Sequence, residues 1–421
     1  WCKKMREKLD NIKNIAQRCL KCKKPLCKEY CPLHNNIPVI LNYINNDQIV
    51  EAKKELLKTT NMSFICSKLC DHEKSCYGHC ALRNTSDGSI AFYEVENYLS
   101  TLISESDYEK ISNNKIKSKI AVIGAGVSGM NVAIELAKLG LDVTLFDKNN
   151  QIGGVITDSL PNFRFNDNVV NVLVAILKKL NVEMVFNKEF GNNLNFNDLN
   201  DFDYIVFATG TMLSKKIFED NASVYDGIKL LEDGKNNIQK INNANSLVIG
   251  AGNVAMDVSR LLVRSDNKVN IVYRRNIANS PASKKEIEMA INDGVNFIEL
   301  RSPKQLVFDK ANKLIGLEVE ITELIKDDNS TRLSFKSTGE CETIPCDIVV
   351  EALGTNANYD YLKSFIPDLL DEKGWPNSKI YKYKNQKVLL TGDYLTGASS
   401  FAGAVATSNK TIELIKEDIW K

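Results

Sequence analysis

The chain has 421 residues, of which 43% are hydrophobic and 25% charged, and its formal net charge is +1. That length accommodates about two to three globular domains, and the near-neutral balance argues against a nucleic acid or a membrane surface as partner. All three histidines (His34, His72, His79) and nine of the eleven cysteines lie in the first 80 residues. Histidine-based nucleophilic catalysis is thereby excluded from the rest of the chain, and soft-metal chemistry is confined to the N-terminus.

Residues 1–110 read as short helices around cysteine loops. Cys19, Cys22, Cys27 and Cys31, followed by Pro32, have the spacing C-x2-C-x4-C-x3-C-P, close to the C-x2-C-x2-C-x3-C-P run of ferredoxins. A second group follows at Cys66, Cys70, Cys76 and Cys80. Between them, "VILNYINNDQIVEAKKELL" (39–57) has the periodicity of one amphipathic helix. A disulfide framework lacks a secretory context. Three readings stay open: two thiolate zinc sites, iron–sulfur clusters, or free thiols. The histidines are expected beside such centres or on the surface.

A polar linker, "SESDYEKISNNKIKSK" (104–119), precedes a change of pattern. "IAVIGAG" (120–126) predicts a strand ending in glycines, "VSGMNVAIELAKLG" (127–140) a helix, and "DVTLFDK" (142–148) a second strand. The same unit returns about 125 residues later as "SLVIGAGNVAMDVSRLLVRSDNKVNIVYRR" (246–275). Strands running into glycine follow each unit at "DYIVFATG" (203–210) and "DIVVEALG" (347–354). The last stretch (387–415) predicts a strand, a Gly-Asp turn, a small-residue loop and a helix.

Both glycine fingerprints lie between a predicted strand and a predicted helix, the setting in which the motif cradles a dinucleotide pyrophosphate. The first comprises Gly124, Gly126 and Gly129; the second comprises Gly250, Gly252 and Ala255, with Asn253 opening its helix. The second strands end differently. Asp147, beside Lys148, can accept ribose hydroxyls, which suits FAD or NAD. Arg274 and Arg275 stand at the other end, where guanidinium groups bind a 2′-phosphate and suit NADPH. The alternative is that these arginines are simply solvated. The expected fold is therefore α/β, with two Rossmann-like dinucleotide-binding domains preceded by an α-helical iron–sulfur domain. Its boundaries are 1–110 for the helical domain, 118–240 and 346–421 for a discontinuous FAD domain, and 241–345 for an inserted NADPH domain, with Gly354 beyond that boundary a further candidate for the NADPH site.

These segments, with "CPLHNNIP" (31–38), "LPNFR" (160–164) and "GDYLTGASSFAGAVA" (392–406), resemble the small subunit of NADPH-dependent glutamate synthase. They equally resemble the N-terminal half of dihydropyrimidine dehydrogenase. The resemblance covers nearly the whole chain. It implies that Gly392 and Asp393 contact the flavin and that the helix beginning near Ser400 aims its positive end at the flavin ring. It also makes Gly153, Gly154 and Arg164 a second flavin-facing segment, against the alternative of a surface arginine. It further implies two 4Fe–4S clusters that share the cysteine runs. One takes Cys19, Cys22, Cys27 and Cys80; the other takes Cys31, Cys70, Cys76 and Glu96, with Cys66 the rival for Glu96.

The expected function is an NADPH-dependent FAD/iron–sulfur oxidoreductase. Electrons pass by positioning alone, without a catalytic side chain, between NADPH and a separate redox partner protein or ferredoxin. A hetero-oligomer in a cytoplasmic setting fits that expectation. Two rivals are the large subunit of a ferredoxin-dependent bifurcating transhydrogenase and a non-catalytic, cofactor-bearing assembly subunit. A thioredoxin-reductase-like role is disfavoured because no Cys-x-x-Cys lies beyond residue 80.

Overall fold

The computed structural model describes residues 2–110, 118–166, 168–235, 241–326 and 333–421. Residues 111–117 of the expected linker lie outside this set. The chain divides into two compact units. The first comprises 1–154, 167–211 and 357–421; the second comprises 155–166 and 212–356.

The first unit opens with the helices Cys2–Gln17, Ile37–Asn45, Ile49–Leu57, Ser63–Leu69 and Phe92–Ser100. Their apolar stripes bury Ile12, Ile40, Leu41, Leu56, Val95 and Leu99 in one core. The stretch expected as a single helix over 39–57 is two helices. Asp47 takes φ +60°, a left-handed conformation that aspartate tolerates and a helix interior does not. The Asn46 amide closes the first helix on the carbonyls of Asn42 and Tyr43. The halves fold back on each other, so that Ile40, Leu41, Ala52 and Leu56 share that core.

The rest of this unit is a six-stranded sheet. Its order is Tyr381–Tyr383, Gln386–Leu390, Tyr204–Phe207, Lys119–Ile123, Asp142–Phe146, Glu183–Val185. All neighbours pair in parallel except the first two strands. The continuous apolar runs of the central strands reflect a sheet covered on both faces. Buried amides join the cysteine-bearing helices to it. Asn61 donates to Asn131 (3.1 Å) and Glu135 (2.8 Å), Asn131 donates to Ser408 (2.9 Å), and Asn409 donates to the Thr59 carbonyl (3.1 Å).

The second unit carries a five-stranded parallel sheet in the order Val224–Asp226, Ile348–Glu351, Asn245–Ile249, Lys268–Tyr273, Asn296–Glu299. Ile348–Glu351, which the expected boundary groups with the FAD domain, is hydrogen-bonded between two strands of this sheet. Residues 155–166 also pack here, because Arg164 forms an ion pair with Asp257. A three-stranded antiparallel sheet, Arg301–Phe308, Leu314–Ile325 and Ser334–Pro345, was not anticipated. Leu314, Leu317 and Val319 of its middle strand bury against Leu247, Ile249 and Val349.

Candidate functional site

The two fingerprint turns are built alike. Gly124 has φ +104° and Gly250 φ +114°, a region that other L-residues rarely adopt. Neither has room for a side chain: a Cβ would come 2.5 Å from the Ala208 carbonyl oxygen at the first and 2.4 Å from that of Ala352 at the second. The neighbouring parallel strand thus presses each turn from behind. In front, a Cβ on Gly126 would meet nothing within 4 Å. That open face, at the start of the helix Val127–Lys138, is where free N–H groups receive a pyrophosphate.

Around the first turn the chain gathers the remaining predicted flavin residues of this unit. The Gly153 amide donates to the Ala125 carbonyl (2.9 Å), and a Cβ on Gly154 would lie 3.1 Å from Gly126 Cα. Asp147 is buried, and its carboxylate accepts from the Ala125 amide (2.6 Å) and the Asn149 amide (2.8 Å). It organises the turn and still has lone pairs to offer a ribose. Lys148 beside it is exposed. Gly392 lies against Ser128 of the fingerprint helix, and Ser128 Oγ donates to the Ala404 carbonyl at 3.1 Å. Asp393 accepts from Ser399 Oγ (2.6 Å), and burial raises its pKa. Ser400 caps the helix Phe401–Ile419 by accepting from the Gly403 amide at 3.0 Å. Two helix N-termini therefore converge at the C-terminal edge of one parallel sheet, a setting that favours a bound diphosphate and a reduced, negatively charged ring. These residues fit FAD.

In the second unit, Gly252 opens the helix Asn253–Val263, and Asn253 Oδ1 accepts from the Ser283 amide (3.2 Å). Ala255 is fully buried, and the Gly354 carbonyl accepts from the Lys215 amide. Arg274 and Arg275 follow the strand Lys268–Tyr273. Their guanidinium carbons lie 4.7 and 5.4 Å from the Phe335 ring centre, and Arg275 Nε donates to the Leu333 carbonyl (2.8 Å). The pair is held on an aromatic platform. No sequence signal pointed to Phe335, which is sixty residues downstream and reaches the arginines only through the antiparallel sheet.

Arg164 sits in this unit. It pairs with Asp257 and lies 3.4 Å from Glu286, and all three side chains are less than a tenth exposed. Arg260 extends the network to Glu286 (3.3 Å) and Asp293 (2.8 Å). Burial pushes Asp257 up to about 6, against the opposing charge of Arg164. The guanidinium is therefore committed to ionic partners on the helix Asn253–Val263 and on Lys284–Asp293.

The cysteines line two cavities. Cys19, Cys22, Cys27 and Cys80 border one of about 110 Å³. Cys31, Cys70, Cys76 and Glu96 border a smaller one of about 20 Å³, with Cys66 also in its wall. Cys76 and Phe92 face both cavities, and Ala402, in the first turn of the Ser400-capped helix, lines the second. No described cysteine is in a disulfide. Burial, reinforced by neighbouring thiols or by Glu96, pushes Cys27 and Cys70 up to about 12 and raises Cys19, Cys31, Cys66 and Cys76. Burial likewise lifts Glu96 to about 8, with Asn35 as a single weak partner at 3.5 Å. Thiols so placed ionise only beside positive charge, which a bound metal centre supplies. Among the described residues no three His, Cys, Asp or Glu side chains are placed to hold one metal ion, whereas zinc draws its thiolates to about 2.3 Å. The first cavity is the larger of the two.

Comparison with known proteins is consistent with this geometry. Residues 2–108 match dihydropyrimidine dehydrogenase domain II, 4Fe-4S cluster, and residues 122–188 match an NAD(P)-binding Rossmann-like domain. Residues 192–393 match pyridine nucleotide-disulphide oxidoreductase. The glutamate synthase [NADPH] small chain of Halomonas elongata is 28% identical over 93% of this chain and 87% of its own length. The chain is thus similar to the glutamate synthase small-subunit-like FAD/iron–sulfur oxidoreductases. Another relative is the NAD-dependent dihydropyrimidine dehydrogenase subunit PreT of Escherichia coli, 26% identical over 95% of this chain and 92% of its own. The fold is also that of Mycobacterium tuberculosis FprA, solved in complex with NADPH. There the TM-score is 0.57 at 18% identity, over 71% of this chain and 84% of FprA. The chain is an oxidoreductase that works with FAD, a nicotinamide dinucleotide and 4Fe–4S chemistry. No helix among the described residues is long and apolar enough to cross a membrane.

Proposed function

We propose that the protein moves electrons between NADPH and a separate redox protein through FAD and two 4Fe–4S clusters. The observation that carries this reading is the contrast between the two dinucleotide sites. Asp147 closes the first with a carboxylate, whereas Arg274 and Arg275 on Phe335 offer the second two positive charges for a 2′-phosphate. The first unit is then the FAD domain and the second the NADPH domain. Cys19, Cys22, Cys27 and Cys80 hold one cluster, and Cys31, Cys70, Cys76 and Glu96 hold the other.

When bound, FAD accepts a hydride as two electrons, and the clusters carry electrons singly. The residues of the chain position and screen. Gly126 leaves space for the pyrophosphate, and the helix capped by Ser400 turns its positive end toward the flavin site. Ala402 links that helix to the second cavity, and Cys76 links the second cavity to the first. This continuity supports a route in the order flavin site, second cavity, first cavity.

The test is an anaerobic titration with NADPH and then NADH, following flavin bleaching by absorbance and reduced clusters by EPR. Bleaching at far lower NADPH than NADH, followed by cluster signals, is the expected result. Preference for NADH overturns the role given to Arg274 and Arg275. Bleaching without cluster signals overturns the relay.

A further inference from the structure

We infer that the loop around the first cavity, residues 18–30, is the docking surface for an acidic one-electron carrier protein. This rests on the relay proposed above and adds where it opens to a partner. Although the chain is nearly neutral, this segment holds Arg18, Lys21, Lys23, Lys24 and Lys28 against a single acid, Glu29. Lys21, Lys23 and Lys24 are exposed, and no ion pair among the described residues uses them. Among them stand apolar side chains that a solvated loop has no reason to display: Leu20 is 61% exposed, Leu26 46% and Tyr30 51%. An apolar centre ringed by one sign of charge is the composition of a transient protein interface with an oppositely charged partner.

The placement gives this surface its use. Leu20, Leu26 and Lys24 also line the cavity bordered by Cys19, Cys22, Cys27 and Cys80. The same side chains thus form its wall and the outer face. Lys21, between two of those cysteines, takes φ +50°, a left-handed conformation uncommon for a lysine. A partner seated here is one layer of side chains from the site, at the far end of the series from the flavin. The electron count is complete: one NADPH, leaving as NADP⁺ and one proton, reduces two one-electron acceptors in two successive dockings. An acidic face answers the lysines, and its attraction weakens with salt because charges beyond about 8 Å are screened at 0.15 M.

The experiment uses the purified chain with its native cofactors, immobilised, and an acidic plant-type 2Fe–2S ferredoxin as the probe, with binding measured by surface plasmon resonance between 25 and 300 mM NaCl. The variant Lys21→Glu/Lys23→Glu/Lys24→Glu is compared with Lys310→Glu/Lys313→Glu/Lys382→Glu, which makes the same change in net charge at exposed lysines elsewhere. We expect salt-sensitive binding by the unaltered protein, at least about tenfold weaker in the first variant and within about twofold in the second. Iron content checks that the loop still folds. Should the first variant lose iron, Lys23→Glu alone, at an exposed position lining neither cavity, is expected to weaken binding about threefold. No binding by the unaltered protein, salt-independent binding, or equal loss in both triple variants overturns the inference. Failure of NADPH to bleach the flavin of the unaltered protein is a different result and overturns the relay.

Discussion

Replacing Gly129 with alanine should disable the flavin site, although the matching position of the second fingerprint already carries Ala255. A Cβ at residue 129 would come 1.8 Å from the Gly124 carbonyl oxygen and 3.4 Å from Ala208 Cβ. Ordinary contact requires about 3.4 Å or more, so the turn or the helix must move by roughly 1.5 Å. The turn cannot retreat, because Gly124 is itself pressed against the Ala208 carbonyl. The colliding group, the Gly124 carbonyl, is backbone, so no flexible side chain can absorb the strain. Overpacking of this kind costs about 1–3 kcal/mol or more, and the displacement falls on the amides that would meet the pyrophosphate. Gly129→Ala is therefore expected to purify with far less than one flavin per chain and to unfold about 2–3 kcal/mol more easily in urea. The reciprocal Ala255→Gly loses one buried methyl, about 0.8 kcal/mol, and adds a helix glycine at about 0.5–1 kcal/mol. It should keep its flavin and its NADPH response. Flavin per chain by absorbance after gel filtration reads the result. Stoichiometric flavin and unaltered stability in Gly129→Ala would refute the steric argument.

Arg274→Ala/Arg275→Ala removes the charges proposed for the 2′-phosphate, each worth about 1.5–3 kcal/mol as a charge-assisted contact. The NADPH needed for half-bleaching should rise about a hundredfold or more while the NADH value moves little; a parallel rise in both would show the pair to be structural. Cys80→Ser and Glu96→Ala should each lower iron from about eight to about four atoms per chain, whereas Cys66→Ala should keep about eight. Colorimetric iron analysis of anaerobically purified protein decides whether Cys66 displaces Glu96. Asp257 has its pKa raised from 3.8 to about 6, so its contribution to stability is fully present below 3.8 and lost as pH rises through about 6. Between pH 5 and 7.5 the loss is on the order of 1 kcal/mol. Hydrogen-exchange protection of the helix Asn253–Val263 should fall by that amount over the interval, after correction for intrinsic rates, and Asp257→Asn should flatten the dependence.

Much of this molecule is local, and local features are legible in a linear chain. Strand, glycine turn and helix follow one another within about 25 residues at 119–146 and again at 245–273, so period, glycine spacing and the terminal Asp147 or Arg274 could be read directly. The cysteine spacing belongs to the same class, whereas Glu96 enters only through the family resemblance. Whatever depends on segments meeting across the fold could not be read. Asp47 breaks a helix that periodicity runs straight through, because one left-handed residue outweighs an amphipathic pattern once both halves can bury their apolar faces on each other. Arg164 looks like part of a flavin loop until packing hands it Asp257 and Glu286, since a buried guanidinium is stable only where carboxylates await it. Phe335 beneath Arg274 belongs to no motif, and no spacing foretells that Ala402 lines the second cavity or that Leu20 and Leu26 line the first. Sequence by itself determined which chemistries the chain can bind. Only the tertiary structure decided which groups face one another, because burial and charge act through distance in space and not along the chain.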